Sequence, residues 1–197
     1  MLQIHPKSFL RNRGWFRSFS AKRSVDAAGL PIPWWSYGVL DFVEERLAKT
    51  MSVLEFGAGG STVWLAARVS QVVTVENNPE WAAIVKSFIP GNVHLIQLPI
   101  PGQLVANDLP SSASRQYQLL IVDALANRID CAKAGLPLLA EDGVVLWDNT
   151  DGPDWPDIKG MMAARGFKEI SFSGISPQEV SLSRTTIFYK SKNVFGI

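Results

Sequence analysis

Cysteine is nearly missing from this 197-residue sequence, with Cys131 the only one. One thiol excludes an intramolecular disulfide and any thiol-only metal cluster, and its position in a helical stretch suits a buried, inert side chain. Histidine is almost as scarce. His5 and His94 lie far apart in the chain, which gives little support to a histidine metal pair or a Ser-His-Asp triad. Net charge is also lacking: 19 basic and 18 acidic side chains leave a formal +1, so no chain-wide field favours nucleic acid or an acidic surface. No apolar run reaches membrane-spanning length. The basic N-terminal residues are not followed by the roughly 7–15-residue apolar stretch of a signal peptide. A cytoplasmic location is therefore expected. Repeats, low-complexity tracts and domain linkers are absent as well.

What is present is a chain that is 47% hydrophobic, enough for one sizeable core and short for two. A single domain is expected over 31–197, preceded by a basic and aromatic arm over 1–30. In the arm Lys7, Arg11, Arg13, Arg17, Lys22 and Arg23 all come before the first acid, Asp26, interleaved with Phe9, Trp15, Phe16 and Phe19. Such a segment suits a membrane surface or a polyanion. The reading preferred here is an irregular arm, folded over the domain or partly disordered. Packing against a second subunit, giving a homodimer, is an open alternative.

From Pro31 onward strand and helix signals alternate. YGVLDFVEERLAK has apolar residues at helical spacing and predicts a helix over 37–49. MSVLEF reads as the first strand, followed by GAGGS as a turn and TVWLAARV as a helix. QVVTVE is the second strand, and Asn78-Pro79 gives the next helix a cap and a first-turn proline. NVHLIQL, YQLLIVDA and GVVLWDN read as strands three to five, with a loop or weak surface helix over 99–116 and a helix over 127–140. WPDIKGMMAAR predicts a further helix, and GFKEISFSG and EVSLSRTTIFYK a closing strand pair. Short apolar strands joined by helices predict an α/β fold: an open, mostly parallel sheet with helices on both faces.

The stretch VLEFGAGGS carries the first functional signal. A strand that ends in glycines exposes backbone N–H groups and lets a ligand approach where no Cβ stands. Gly57, Ala58 and Gly59 are thus candidates for cofactor contact, with Ser61 and Thr62 completing the turn. Glu76 closes the second strand, 17 residues beyond Gly59, where a carboxylate can accept both hydroxyls of an adenosine ribose. The third glycine of a dinucleotide fingerprint is missing, its place taken by Thr62. Glu55 would repel a pyrophosphate and suits a cationic or zwitterionic cofactor; its alternative reading is a turn or N-cap carboxylate.

At these residues the chain resembles the class I S-adenosylmethionine-dependent methyltransferases. VLEFGAGGS looks like their first motif, VVTVENNPEW like the second strand with its ribose-binding acid, and YQLLIVDA and LPLLAEDGVVLWDN like the fourth- and fifth-strand segments. The resemblance covers roughly residues 36–190. It implies a Rossmann-like seven-stranded sheet, mostly parallel with an antiparallel last strand. It also implies S-adenosylmethionine as cofactor, with Gly57, Ala58 and Gly59 at its methionine portion, Glu76 on its ribose and Asn77 beside its adenine. PIPWWSY looks like the opening of a less characterised bacterial subgroup, in which Trp34, Trp35, Ser36 and Tyr37 would cover the cofactor or wall the substrate pocket. Simple packing is the alternative.

For the chemistry, the candidates lie at the ends of strands four and five: Asp123, then Asp148 with Asn149. Three oxygens converging there could hold Mg²⁺ and lower the pKa of a bound hydroxyl. The trio is similar to the metal site of catechol and caffeoyl-coenzyme A O-methyltransferases, and Asp123 also counts among the cofactor candidates. Those enzymes can carry a lysine three residues after the strand-four Asp, whereas Ala126 stands here, with Arg128 and Lys133 the nearest basic residues. Without a metal, Asp148 serves as base or orients the acceptor. The third alternative for Asp148-Asn149 is ordinary turn chemistry. A small-molecule acceptor methylated at oxygen is the preferred expectation. Within enzymes the rival is methylation of a nucleic acid or protein, made less favoured because VDALAN replaces the Asp/Asn-Pro-Pro-aromatic motif of amino-base methylases. A non-catalytic cofactor-binding protein with the same fold is the rival from outside the enzymes.

Overall fold

The computed structural model describes all residues except 1–4, 6, 112, 114, 115 and 126. Seven strands form one sheet: β1 (Ser52–Phe56), β2 (Gln71–Glu76), β3 (Val93–Gln97), β4 (Tyr117–Val122), β5 (Leu139–Trp147), β6 (Lys168–Ile175) and β7 (Leu182–Tyr189). Their spatial order is β3-β2-β1-β4-β5-β7-β6. β1 to β5 pair in parallel, while β7 runs antiparallel to both β5 and β6. The expected α/β architecture, with its antiparallel last strand, is the one found.

The central strands are apolar on both faces, as parallel strands covered by helices must be. On one face Val53, Val72, Leu119, Ile121, Val144 and Leu146 pack with α3 (Tyr37–Glu44) and α4 (Gly60–Ala66). On the other, Leu54, Phe56, Val73, Leu120, Val122, Val145 and Trp147 pack with α6 (Arg128–Gly135) and α7 (Trp155–Ala163). α5 (Pro79–Lys86) starts as its sequence predicts, with Asn78 Oδ1 accepting from the Trp81 N–H at 2.9 Å. Two helix ends differ most from expectation. α3 stops at Glu44 rather than 49, because the Arg46 N–H turns to the Val43 carbonyl and the chain then reverses into β1. α6 stops at Gly135 rather than 140: Pro137 has no N–H to continue the helix, a 3₁₀ turn follows over Leu136–Leu138, and Leu139 and Ala140 already belong to β5.

The N-terminal arm is more ordered than its sequence suggests. It holds two short helices, α1 (Phe9–Asn12) and α2 (Trp15–Ala21). The indole of Trp15 donates to the Glu179 carbonyl at 2.7 Å, Arg13 pairs with Asp41 at 2.6 Å, and the buried Ser18 hydroxyl donates to the Val25 carbonyl. Among the described residues no helix is long and apolar enough to cross a membrane.

Candidate functional site

The parallel register brings the key residues to one edge. Phe56 pairs with Val75 and Val122, and Val122 with Trp147, so Gly57, Glu76, Asp123 and Asp148 each stand one step on, in a row at the carboxyl ends. Backbone bonds extend the ladder to that row: Gly57 N–H to Val75 O, Asp123 N–H to Phe56 O, and Asp148 N–H to Val122 O. In open α/β sheets this edge is where ligands bind.

Gly57 and Gly59 do different work in the turn. Gly57 has φ +103°, and a Cβ there would meet the Asp123 carbonyl oxygen at 2.5 Å, so only glycine lets β1 and β4 end this close together. Gly59 has extended backbone, and nothing lies within 4 Å of where its Cβ would be. Its open side is room for a ligand.

Beneath the turn Glu55 is wholly buried. Its two oxygens accept from the hydroxyls of Ser61 and Thr62, each at 2.6 Å, and Thr62 Oγ1 in turn accepts from the Gly59 N–H. Glu55 therefore reaches the turn surface only through these hydroxyls. Burial pushes its carboxyl up to about 7, against the pull of its hydrogen bonds. Glu76 is held by three backbone amides: Ala58 to Oε2, Asn77 and Asn78 to Oε1. The Asn77 side chain is exposed beside it. Trp81, which the sequence reading passed over, donates its indole N–H to the Ala58 carbonyl at 2.7 Å and ties the turn to α5. No local sequence signal points to that bond.

The PIPWWSY segment crosses the same edge. A Cβ on Gly60 would meet the Ile32 carbonyl at 2.9 Å, so Gly60 is what lets the segment lie against the start of α4. Trp35, Ser36 and Tyr37 are buried and present almost no surface to a ligand, whereas Trp34 is 50% exposed. The Trp35 indole donates to Asp123 Oδ2 at 3.0 Å. Ser36 Oγ and the Tyr37 hydroxyl have no hydrogen-bond partner among the described residues.

Asp123, Asp148 and Asn149 do come together, but around the guanidinium of Arg128. Its Nη2 donates to Asp123 Oδ1 at 3.3 Å and to Asn149 Oδ1 at 2.8 Å, its Nη1 to the Asp148 carbonyl, and its Nε to the Ala124 carbonyl. Asp148 is buried, and its Oδ1 accepts from Thr185 of β7. Burial raises the carboxyl pKa of both acids. At Asp148 the charge of Asp123 adds to the rise, whereas at Asp123 the nearby Arg128 and the Trp35 indole oppose it. Tested against Mg²⁺, which needs near-octahedral oxygens at about 2.0–2.1 Å, the arrangement does not fit: a cation already touches the side-chain oxygens of Asp123 and Asn149 and the backbone carbonyl of Asp148, and Thr185 holds the Asp148 carboxylate. No cluster of three or more His, Cys, Asp or Glu side chains able to hold a metal exists among the described residues. Ala126, at the position of the family's lysine, lies outside the described residues.

Against S-adenosylmethionine the residues do fit: an open glycine face, a fixed carboxylate at the end of β2 and a buried acid under the turn are chemically suited to a nucleoside cofactor. Residues 54–150, just under half of the chain, match the family model described as "Methyltransferase domain", which together with the fold supports an S-adenosylmethionine-dependent methyltransferase. Among solved structures, the O-methyltransferase from Bacillus cereus in complex with SAH is 18% identical, with TM-score 0.61, covering 95% of this chain and 94% of that one. The precorrin-6y C5,15-methyltransferase from Geobacter metallireducens is 15% identical, with TM-score 0.60 and coverage of 78% and 87%. An rRNA methylase from Streptococcus thermophilus is 16% identical, with TM-score 0.57 and coverage of 76% and 92%. At such identities what is shared is the fold. No curated protein matches the chain significantly.

Proposed function

We propose that this protein methylates a hydroxyl group of a small acceptor, with Asp148 as the base. The observation that carries the reading is the position of Asp148: a buried carboxyl of raised pKa, one residue past β5 and in the same row as the cofactor turn. S-adenosylmethionine, when bound, supplies a methyl group on a sulfonium. The chain's own part is to hold and orient. Gly57, Ala58 and Gly59 leave backbone accessible to the methionine portion, and Glu76 accepts from the ribose hydroxyls, with Asn77 at the adenine edge. Ser61 and Thr62 link Glu55 to the turn by hydrogen bonds. Trp35 positions Asp123 through its indole, and Ser36 and Tyr37 pack behind it.

An acceptor hydroxyl presented in line would give its proton to Asp148, whose raised pKa makes it a better base than an ordinary carboxylate once ionised. Trp34, the 99–116 loop and the segment from Asn149 to Trp155 bound the acceptor side. Part of that loop lies outside the described residues. The exposed Trp34 ring supports an aromatic or sugar acceptor.

The test is formation of S-adenosylhomocysteine from S-adenosylmethionine across a panel of phenols, catechols and sugars, with an RNA arm and the Asp148→Asn variant in parallel. Turnover of a small hydroxyl compound that Asp148→Asn loses supports the proposal. Methylation of RNA alone, or cofactor binding with no turnover on any acceptor, refutes it.

A further inference from the structure

We infer that Arg128 takes the place of a divalent cation at the acceptor site, so that this methyltransferase holds its strand-end oxygens with a fixed guanidinium and needs no metal ion. This inference rests on the methyltransferase reading of the fold and goes beyond it. Arg128 opens α6 and its side chain, 16% exposed, reaches back over the ends of β4 and β5. Four acceptors receive it: the carbonyls of Ala124 and Asp148, Asp123 Oδ1 and Asn149 Oδ1. A guanidinium carries five donors in a rigid planar fork and a permanent charge, so one side chain can join two neighbouring strand ends, as an ion with several oxygen ligands would.

The backbone on both sides is shaped for this. Asn127, just before Arg128, has φ +58°, and Asn149, one of its acceptors, has φ +55°. Asparagine tolerates this left-handed conformation better than most residues. At Asn127 it turns the chain from β4 so that α6 begins with Arg128 over the edge. At Asn149 it turns the chain leaving β5 in the acceptor's direction. An ion bound to Asp123 Oδ1 and Asn149 Oδ1 would stand against Nη2, which already touches both, and the like charges would repel across a short gap. Thr185, meanwhile, occupies Asp148 Oδ1.

There is a consequence for the substrate class. A metal rewards an acceptor that chelates it through two adjacent oxygens. A guanidinium with four of its five donors committed to protein oxygens gives no such reward, since the one remaining N–H cannot hold two oxygens as a chelating ion does. The acceptor therefore needs a single hydroxyl within reach of Asp148, and a vicinal diol has no advantage. Arg128 is a positioning residue in this scheme, acting through Asp123, Asn149 and the end of β5.

The experiment is titration of the whole protein with Mn²⁺, followed by the spin-resonance signal of the free ion, for wild type, Arg128→Lys, Arg128→Ala and Arg128→Gln. Calorimetry with S-adenosylhomocysteine runs beside it. Wild type and Arg128→Lys, which keep the positive charge, should take up no Mn²⁺ through the millimolar range. Arg128→Ala should bind one ion per chain and lose it again when Asp123→Asn is added. Arg128→Gln, neutral but retaining much of the stem, gives the same reading should the alanine variant fail to fold. A purely structural arginine would not produce a new metal site on removal. Stoichiometric Mn²⁺ binding by wild type overturns the inference, as does a folded neutral variant that takes up none. Failure of every protein to bind S-adenosylhomocysteine would instead strike at the cofactor reading, leaving the Mn²⁺ result to decide the role of Arg128 separately.

Discussion

Replacing Glu55 with Gln removes a charge from beneath the glycine turn while keeping the side chain's size and one acceptor oxygen. Ser61 can rotate to accept from the new amide, and Thr62 can keep donating to the remaining oxygen. The wild-type carboxyl is wholly buried with a pKa of about 7, whereas in the unfolded chain it titrates near about 4.3. A folded pKa above the unfolded one means that the neutral form suits the native state. The associated stability is complete below about pH 4 and is lost as pH rises through 7. At about 1.4 kcal/mol per unit of displacement, the loss between pH 4 and pH 9 is roughly 3.5 kcal/mol. In a chain of this size about 1 kcal/mol moves Tm by roughly 2–4 °C. Thermal melts followed by circular dichroism across that range should show Glu55→Gln gaining several degrees on wild type as pH rises. Asp123 and Asp148, also raised by burial, titrate in both proteins; what survives in the difference is the part of Asp123's rise that comes from the Glu55 charge, and it acts in the same direction. Parallel Tm curves for the two proteins would refute the reasoning, since Glu55 would then not change charge on folding in this window.

Three further expectations concern the site. Glu76→Ala should weaken binding of S-adenosylhomocysteine about 100-fold or more, the loss of two hydrogen bonds to a charged acceptor at about 1.5–3 kcal/mol each. Calorimetry checks it, and Glu76→Gln, whose one oxygen can still accept from Asn77 and Asn78 while the Ala58 N–H loses its acceptor, keeps most of the turn's anchoring and separates ribose recognition from collapse of the turn. Gly57→Ala should cost about 3 kcal/mol or more of stability, from a left-handed φ and a 2.5 Å approach to the Asp123 carbonyl. Gly59→Ala, with nothing within 4 Å, should leave the melting temperature in place and weaken cofactor binding; equal stability losses in the two would undo the distinction. For a hydroxyl acceptor, wild-type turnover should climb with pH as Asp148 loses its proton, because burial and the Asp123 charge hold that proton on above the ordinary carboxylate range. Asp148→Asn should lower turnover by about 10²–10⁴-fold with cofactor affinity intact, which steady-state rates and calorimetry together would show.

The sequence by itself determined the elements and the cofactor edge, because those signals are local. Alternation of apolar runs with turn residues placed all seven strands. The Asn78-Pro79 pair marked the start of α5, and the strand-glycine-helix grammar of VLEFGAGGS located the turn. Of the helix ends that the sequence pattern overran, the one at α6 also had a local cause, in Pro137. The tertiary structure alone decided what each polar group faces. Trp35 meets Asp123 across 88 residues of chain, Thr185 meets Asp148 across 37, and Arg128 spans 21 residues to Asn149. These pairings follow from the strand order β3-β2-β1-β4-β5-β7-β6, which brings distant strand ends side by side. Three oxygens at the ends of β4 and β5 read equally well as an ion's ligands or as an arginine's acceptors until the fold sets a side chain among them. Burial acts in the same way: Glu55 reads as a plain acid beside a glycine turn, and only the packed sheet around it removes the water that would have kept it charged.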